Sequence, residues 1–323
     1  MSVFTSVSRD ALVAFLATHE AGSLVDYRGI AAGVENTNYF VDTTDGCYVL
    51  TLFERLAPDA LPFYLGLMAH LARAGVACPA PRPDRAGHLS AMLCGKPAAF
   101  VSRLPGQPVD TPTAAHCACI GDWLAHMHAV GASFPVRLDN PCGAAWRAAT
   151  AARLAHHLPA RPQQLLAAEI RFQQTATEHL ADLPRGIVHA DLFRDNALFA
   201  DAPAGSEPRL GGVIDFYFAG EDCLLFDLAV TANDWCASAD GTLDPARTQA
   251  LLAAYAARRP LTDGERVAWP IMLRAAALRF WVSRLADLHM PRQGALVQVK
   301  DPAEYQGILE TRIGDESPPW LPA

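Results

Sequence analysis

The stretch His189-Ala190-Asp191-Leu192-Phe193-Arg194-Asp195-Asn196, followed by Gly212-Val213-Ile214-Asp215-Phe216, decides how the chain is read. Phosphoryl-transfer loops use a histidine to fix the loop, an aspartate two residues on to face the acceptor hydroxyl, and an asparagine five further on to hold magnesium. His189, Asp191 and Asn196 keep that spacing. A second aspartate must arrive at a strand end to bridge the metal to nucleotide phosphates, because charge neutralisation is most of what such a site contributes. Asp215 closes the apolar run Leu210 to Ile214 and meets that requirement.

Turn chemistry alone explains a His, Asp or Asn taken singly. The joint pattern is more specific. Ile187-Val188 predicts a short strand into the loop, Ala197-Leu198-Phe199 a strand out, and Val213-Ile214 another that ends at Asp215. Polar residues then sit at strand ends, where phosphate and metal chemistry needs them.

Around this stretch lie 323 residues, 51% of them hydrophobic, enough to bury a large core and to divide into two lobes. The formal net charge of -8, with no Lys/Arg cluster, argues against a nucleic-acid or anionic-membrane surface and for a small-molecule partner. No apolar run approaches a membrane span, and Arg9 and Asp10 open an amphipathic helix rather than a leader, so the expected location is cytoplasmic. The eight cysteines include no Cys-x-x-Cys pair and are expected to be reduced. His116-Cys117-Ala118-Cys119 and the pair His126 and His128 fall on a predicted helix, where side chains two apart diverge and cannot share a metal ion.

In chain order, Ser8 caps a packing helix from Arg9 to His19, and three strands follow at Leu24 to Ile30, Asn38 to Asp42 and Cys47 to Phe53. Thr43-Thr44-Asp45-Gly46 makes a hairpin of the last two. The loop Ala32-Gly33-Val34-Glu35-Asn36-Thr37-Asn38 is placed to cover nucleotide phosphates. It has one glycine, Gly33, so Asn36, Thr37 and Asn38 are expected to donate alongside the backbone. A helix over Ala60 to Ala74 and strands at Leu89 to Met92 and Ala98 to Ser102 complete a small lobe over residues 1–103. The interlobe hinge is expected at Val101 to Gly106, with adenine pairing to exposed backbone near Val101, Ser102 and Arg103.

Residues 104–323 are expected to form the larger, mainly helical lobe. Thr111-Pro112 predicts a helix start running to Val130, and helices are expected at Ala144 to His157, Gln163 to Leu183, Leu224 to Cys236, after Asp244-Pro245, and from the Thr262 to Glu265 capping box to about Leu288. Asp201 to Arg209 is expected to be a surface loop, and Pro318-Pro319 with the last residues to fray.

Several segments carry a family resemblance over nearly the whole chain: Gly33 to Phe40, Tyr48 to Glu54, the catalytic loop, Ile214 to Phe218, Asn233-Asp234-Trp235-Cys236 and Leu278-Arg279-Phe280-Trp281. They resemble the homoserine kinases of the aminoglycoside phosphotransferase-like superfamily. The resemblance implies an α+β, two-lobed, protein-kinase-like fold with a small antiparallel-sheet lobe before a larger helical one. It also implies ATP- and magnesium-dependent phosphorylation of the L-homoserine hydroxyl in threonine biosynthesis. By it Asp191 is the catalytic base, Asn196 and Asp215 are Mg2+ ligands, and Asp227 supports the site.

One departure stands out. Many superfamily members carry a lysine on the third strand that pairs with the phosphates, and here the position is Thr51, with no glutamate in the Ala60 to Ala74 helix to partner one. Arg194, inside the catalytic loop, is the expected substitute for that charge. Homoserine is a zwitterion, so its pocket needs a cation and an anion. Arg279 and Arg284 are the candidates for its carboxylate, Asp234 beside Trp235 for its ammonium, and Tyr217 or Trp281 for an apolar wall. The rival readings are a kinase for choline, ethanolamine, a sugar or an aminoglycoside, and an ATP-binding regulator without catalysis.

Overall fold

A computed structural model describes residues 4–30, 36–56, 58–201, 203, 206–290, 300–315 and 317–320. The described residues fall into two compact units, one ending at Pro105 and one beginning at Gly106.

The first unit opens with α1 (Arg9–Leu16), whose N-terminus is closed by the Ser8 hydroxyl and whose Leu12, Phe15 and Leu16 are buried. Strands β1 (Leu24–Gly29), β2 (Thr37–Thr43) and β3 (Gly46–Leu52) follow, then α2 (Leu61–Arg73), β4 (Ala91–Leu93) and β5 (Lys96–Ser102). The sheet order is β1-β2-β3-β5-β4 and every pair is antiparallel. Thr43 faces Gly46 across the expected β2–β3 turn. On β2 the alternation of side chains puts Thr37, Tyr39, Val41 and Thr43 on the buried face. Tyr39, Val41, Tyr48, Leu50 and Phe100 pack there against the apolar stripe of α1.

The second unit is mostly helical: α3 (Ala114–Gly131), α4 (Ala144–Leu154), α5 (Ala160–Thr175) and α6 (Thr177–Leu180) precede two short antiparallel ribbons. Strand β6 (Arg185–Val188) pairs with β9 (Gly220–Cys223), and β7 (Ala197–Ala200) pairs with β8 (Arg209–Val213). Then come α7 (Leu224–Trp235), α8 (Pro245–Arg258), α9 (Asp263–His289) and α10 (Pro302–Gly314). Helix α7 is buried nearly all round, as expected of a helix with apolar residues on every face. Helices α3 and α8 approach closely at Gly121, where a Cβ would sit 2.2 Å from the Leu251 carbonyl oxygen. Among the described residues no helix is long and apolar enough to cross a membrane.

Three local expectations are corrected and two elements are added. Helix α3 is capped by Thr113, not Thr111, because His116 completes a reciprocal capping box with it. The long helix expected over Gln163 to Leu183 begins at Ala160 and breaks at Ala176. Strand β9 and helix α10 carry no strong pattern in the sequence and are additions to the expected elements. Pro319 is held rather than frayed: its carbonyl accepts the Trp269 Nε1–H at 3.0 Å, and Trp320 packs on the Trp269 ring.

Candidate active site

The second unit assembles the site from β6, the loop after it, the β7–β8 ribbon and α7. Strand β6 ends in buried Val188, and the chain then turns through Ala190 at φ 63°. A residue with a Cβ is strained there, so the turn must be held from outside. Asp227 on α7 holds it: one carboxylate oxygen accepts the His189 amide at 2.6 Å and the other the Ala190 amide at 2.8 Å. Asp227 is itself fixed by His128 Nε2–H at 3.0 Å, and His128 Nδ1 accepts the Tyr255 hydroxyl at 2.7 Å. Burial alone pushes the Asp227 carboxyl upward. The hydrogen bond from His128, with both histidine rings and the backbone amides, overcomes this and leaves it below its ordinary value.

His189 orients the catalytic loop. Its Nε2–H donates to the Ile214 carbonyl at 3.0 Å and its Nδ1 accepts the Asp191 amide at 3.3 Å, the pattern of one neutral tautomer. Burial lowers the His189 ring's affinity for a second proton. The ring thus ties the loop to the strand that ends at Asp215.

Asp191 projects from the turn. Asn196 Nδ2 donates to the Asp191 carbonyl at 2.8 Å and to its carboxylate at 3.2 Å. With its amide nitrogen so engaged, Asn196 has its oxygen left for a cation. Ile214 N–H donates to the Asn196 carbonyl at 2.9 Å, which brings Asn196 and Asp215 to the same end of the β7–β8 ribbon. Asp215 adopts φ 66°, a second strained residue in the loop region. Burial pushes the Asp191 carboxyl up to about 8, Arg279 pulls it down, and Asp215 and Asp195 add to the rise. Arg279 Nη2 lies 3.9 Å from the Asp191 carboxylate.

His189, Asp191, Asn196 and Asp215 therefore lie together, and Asp227, named only through the family resemblance, joins them. The substrate and charge candidates do not all join them. Arg194 and Asp234 are each other's partners, with Nε–Oδ2 at 3.1 Å and Nη2–Oδ1 at 3.4 Å, and Arg194 Nη1 donates to the Asp110 carbonyl at 2.7 Å. The cation expected at the transferring phosphoryl and the anion expected at the ammonium are thus engaged with one another. Arg284 donates to Glu304 at 2.7 Å and to the Asp301 carbonyl at 2.8 Å. Trp235 is fully buried and donates to the Leu192 carbonyl, and Trp281 is fully buried too, while Tyr217 is partly exposed.

In the first unit Gly33 lies outside the described residues, and Asn36 is partly exposed. Thr37 is not free to meet phosphates. The strand alternation turns it inward, where its hydroxyl donates to Glu54 at 2.7 Å and accepts the Phe4 and Thr5 amides. Thr51 donates to Asn38 Oδ1 at 2.7 Å, so the position expected of a lysine is joined to another of the predicted phosphate donors. Lys96, one of two lysines in the chain, pairs with Glu54 at 3.1 Å. The open strand edge expected near Val101 is also absent, because β5 is an inner strand: Val101 pairs with Val49, Ser102 N–H donates to the Ala80 carbonyl and Arg103 N–H to that of Cys47.

Comparison with known proteins matches this layout. The profile of the phosphotransferase enzyme family fits residues 26–261. The homoserine kinase of Methylobacillus flagellatus is 50% identical over 313 residues, covering 97% of this chain and 96% of its own. The homoserine kinase of Cupriavidus necator is 49% identical over 332 residues, covering 99% and 100%. The chain belongs to the phosphotransferase enzyme family, in its homoserine kinase branch. Among solved structures, an amicoumacin kinase in complex with AMP-PNP, Ca2+ and Ami superposes with a TM-score of 0.68 at 15% identity, over 96% of this chain and 94% of that one, which establishes the protein-kinase-like fold.

For a homoserine kinase-branch chain, two parts of the site had no distinct sequence signal. His128 and Tyr255 read as ordinary helical residues, and their role in gripping Asp227 arises only because α3, α7 and α8 meet. The accessory hold on Arg194 by the Asp110 carbonyl is a backbone contact that side-chain identity does not encode.

Proposed function

We propose that this chain transfers the terminal phosphoryl group of ATP to the hydroxyl of L-homoserine, giving ADP and O-phospho-L-homoserine, a step of threonine biosynthesis. The observation that carries the reading is the near-complete alignment with homoserine kinases at about half identity, joined to a loop that presents Asp191 beside Asn196 and Asp215. The first unit is the nucleotide-binding part, and residues from Gly106 onward supply the catalytic and acceptor groups.

Asp191 orients the acceptor hydroxyl and takes its proton while the new O–P bond forms and the bond to the leaving ADP breaks. The Asn196 oxygen and the Asp215 carboxylate are hard oxygen donors of the kind Mg2+ prefers, and the ion would neutralise charge on the phosphates. Asp227, through its two amide contacts, keeps the strained turn in place so that Asp191 meets the hydroxyl without reorganisation. The Arg194–Asp234 pair braces the catalytic loop against α7.

The test is ADP release with Mg-ATP against L-homoserine, L-serine, choline, ethanolamine and an aminoglycoside, in parallel with Asp191→Asn. Homoserine-dependent turnover that drops by about a thousandfold in the variant supports the reading. Preference for another acceptor refutes the substrate, and ATP binding without turnover on any acceptor refutes catalysis.

A further inference from the structure

Arginine side chains bind carboxylates most tightly through two parallel N–H groups on one edge of the guanidinium, and the Nε–Nη2 edge is one such fork. Three arginines of the second unit use that edge on an internal carboxylate: Arg194 on Asp234, Arg258 on Asp122 and Arg274 on Glu169. Arg279 on α9 is built differently. Its Nε and Nη2 are both buried and find no hydrogen-bond partner among the described residues. The two unsatisfied atoms are the two donors of one fork.

Arg279 is only 4% exposed. Leaving two donors of a buried cation without acceptors is costly, and native interiors tolerate it where a ligand completes the set. The Asp191 carboxylate does not complete it, because 3.9 Å is beyond hydrogen-bond reach. The guanidinium is nonetheless held in place: it stacks on the Phe280 ring at 3.9 Å and faces the Phe218 ring at 4.9 Å. Cys142 is a further neighbour, and beyond it Arg147 adds a second buried positive charge. A cation fixed by aromatic faces, with its fork unused and Asp191 next to it, is prepared for an anionic group on the molecule whose hydroxyl Asp191 meets.

We propose that the Nε–Nη2 edge of Arg279 receives the α-carboxylate of the amino-acid substrate and so selects an amino acid over a simple amino alcohol. The assignment rests on Asp191 facing the acceptor hydroxyl. It separates Arg279 from the other arginines near the loop, since Arg194 and Arg284 already hold internal carboxylates. It also accounts for chain-length preference: with the carboxylate fixed at Arg279, serine, one methylene shorter than homoserine, brings its hydroxyl less close to Asp191.

The experiment compares kcat/KM for L-homoserine and for 3-aminopropan-1-ol, which keeps the hydroxyl, the spacing and the amine but lacks the carboxylate. In the native protein homoserine is strongly preferred. In Arg279→Met that preference falls by about 100-fold, the size expected when one partner of a buried charged pair is removed. The KM for ATP stays near its native value, kcat/KM for the amino alcohol falls far less than that for homoserine, and Arg279→Lys, which keeps the charge but not the fork, recovers part of the preference. A folded Arg279→Met that keeps the native preference, or loses activity equally on both acceptors, overturns the assignment while the reaction stands. If Arg279→Met does not fold, the Lys variant decides: unchanged preference overturns the proposal and a loss of tenfold or more supports it. Absence of homoserine turnover by the native protein refutes the reading of the reaction and this assignment with it.

Discussion

Replacing Asp191 by asparagine should make the protein more stable, and increasingly so as pH rises. The carboxyl's pKa moves from 3.8 to about 8 on folding, chiefly through burial. A group whose folded pKa is raised binds more protons in the folded state between those two values, so stability falls as pH climbs through that window. Each unit corresponds to roughly 1.4 kcal/mol, and the full shift would cost about 6 kcal/mol above pH 8. The side chain is 16% exposed, and solvent relaxation discounts that sum by about half. Asparagine carries no such burden. The stability advantage of Asp191→Asn should therefore grow by roughly 2 to 3 kcal/mol between pH 5 and pH 8. All six tryptophans lie beyond Pro105, so urea unfolding followed by tryptophan fluorescence reports on the second unit alone. The measurement is made without nucleotide and with a chelator present. A constant gap across that range, or a variant less stable at both pH values, would refute the idea that burial strains the Asp191 carboxylate.

Two further substitutions probe the supports. Asp227→Asn removes a carboxylate that accepts two backbone amides, and should destabilise the second unit by about 3 kcal/mol at neutral pH. Because the Asp227 carboxyl lies below its ordinary value, its contribution is present above the unfolded pKa and fades as pH falls through the folded one, so the penalty shrinks in acid, opposite in sign to Asp191; a penalty that grows in acid contradicts the clamp. For Arg194 and Asp234, a double-mutant cycle of the alanine variants should show coupling of about 2 kcal/mol in stability, and additive losses would mean that the pair does not brace the loop.

The catalytic loop was legible because its chemistry is local: His189, Asp191 and Asn196 lie within eight residues, and Asp215 is announced by the apolar run before it. The first unit's strands were legible for a similar reason, since alternation and a Thr-Asp-Gly turn are short-range signals. The nucleotide-side candidates fared less well. Thr37 has the right chemistry for a phosphate donor, but strand alternation faces it inward onto Glu54, and Val101 lies on an inner strand. Sequence position says nothing of which face or edge a residue takes until the register is known.

The sequence by itself determined the reaction class, the candidate positions for the base and the cation, and the division into a sheet-bearing and a helical part, because spacing along the chain carries those. It named Arg279, Arg284 and Asp234 for the substrate's charges and Arg194 for the transferring phosphoryl group, without showing which of them are free to meet a ligand. Only the tertiary structure separated them, since pairing is a property of which helices meet: the loop and α7 bring Arg194 to Asp234, α9 and α10 bring Arg284 to Glu304, and α9 sets Arg279 beside Asp191 with its fork unused. An ion pair between residues far apart in the chain has no local signal, and whether a charge is free to meet a ligand depends on whether such a pair forms.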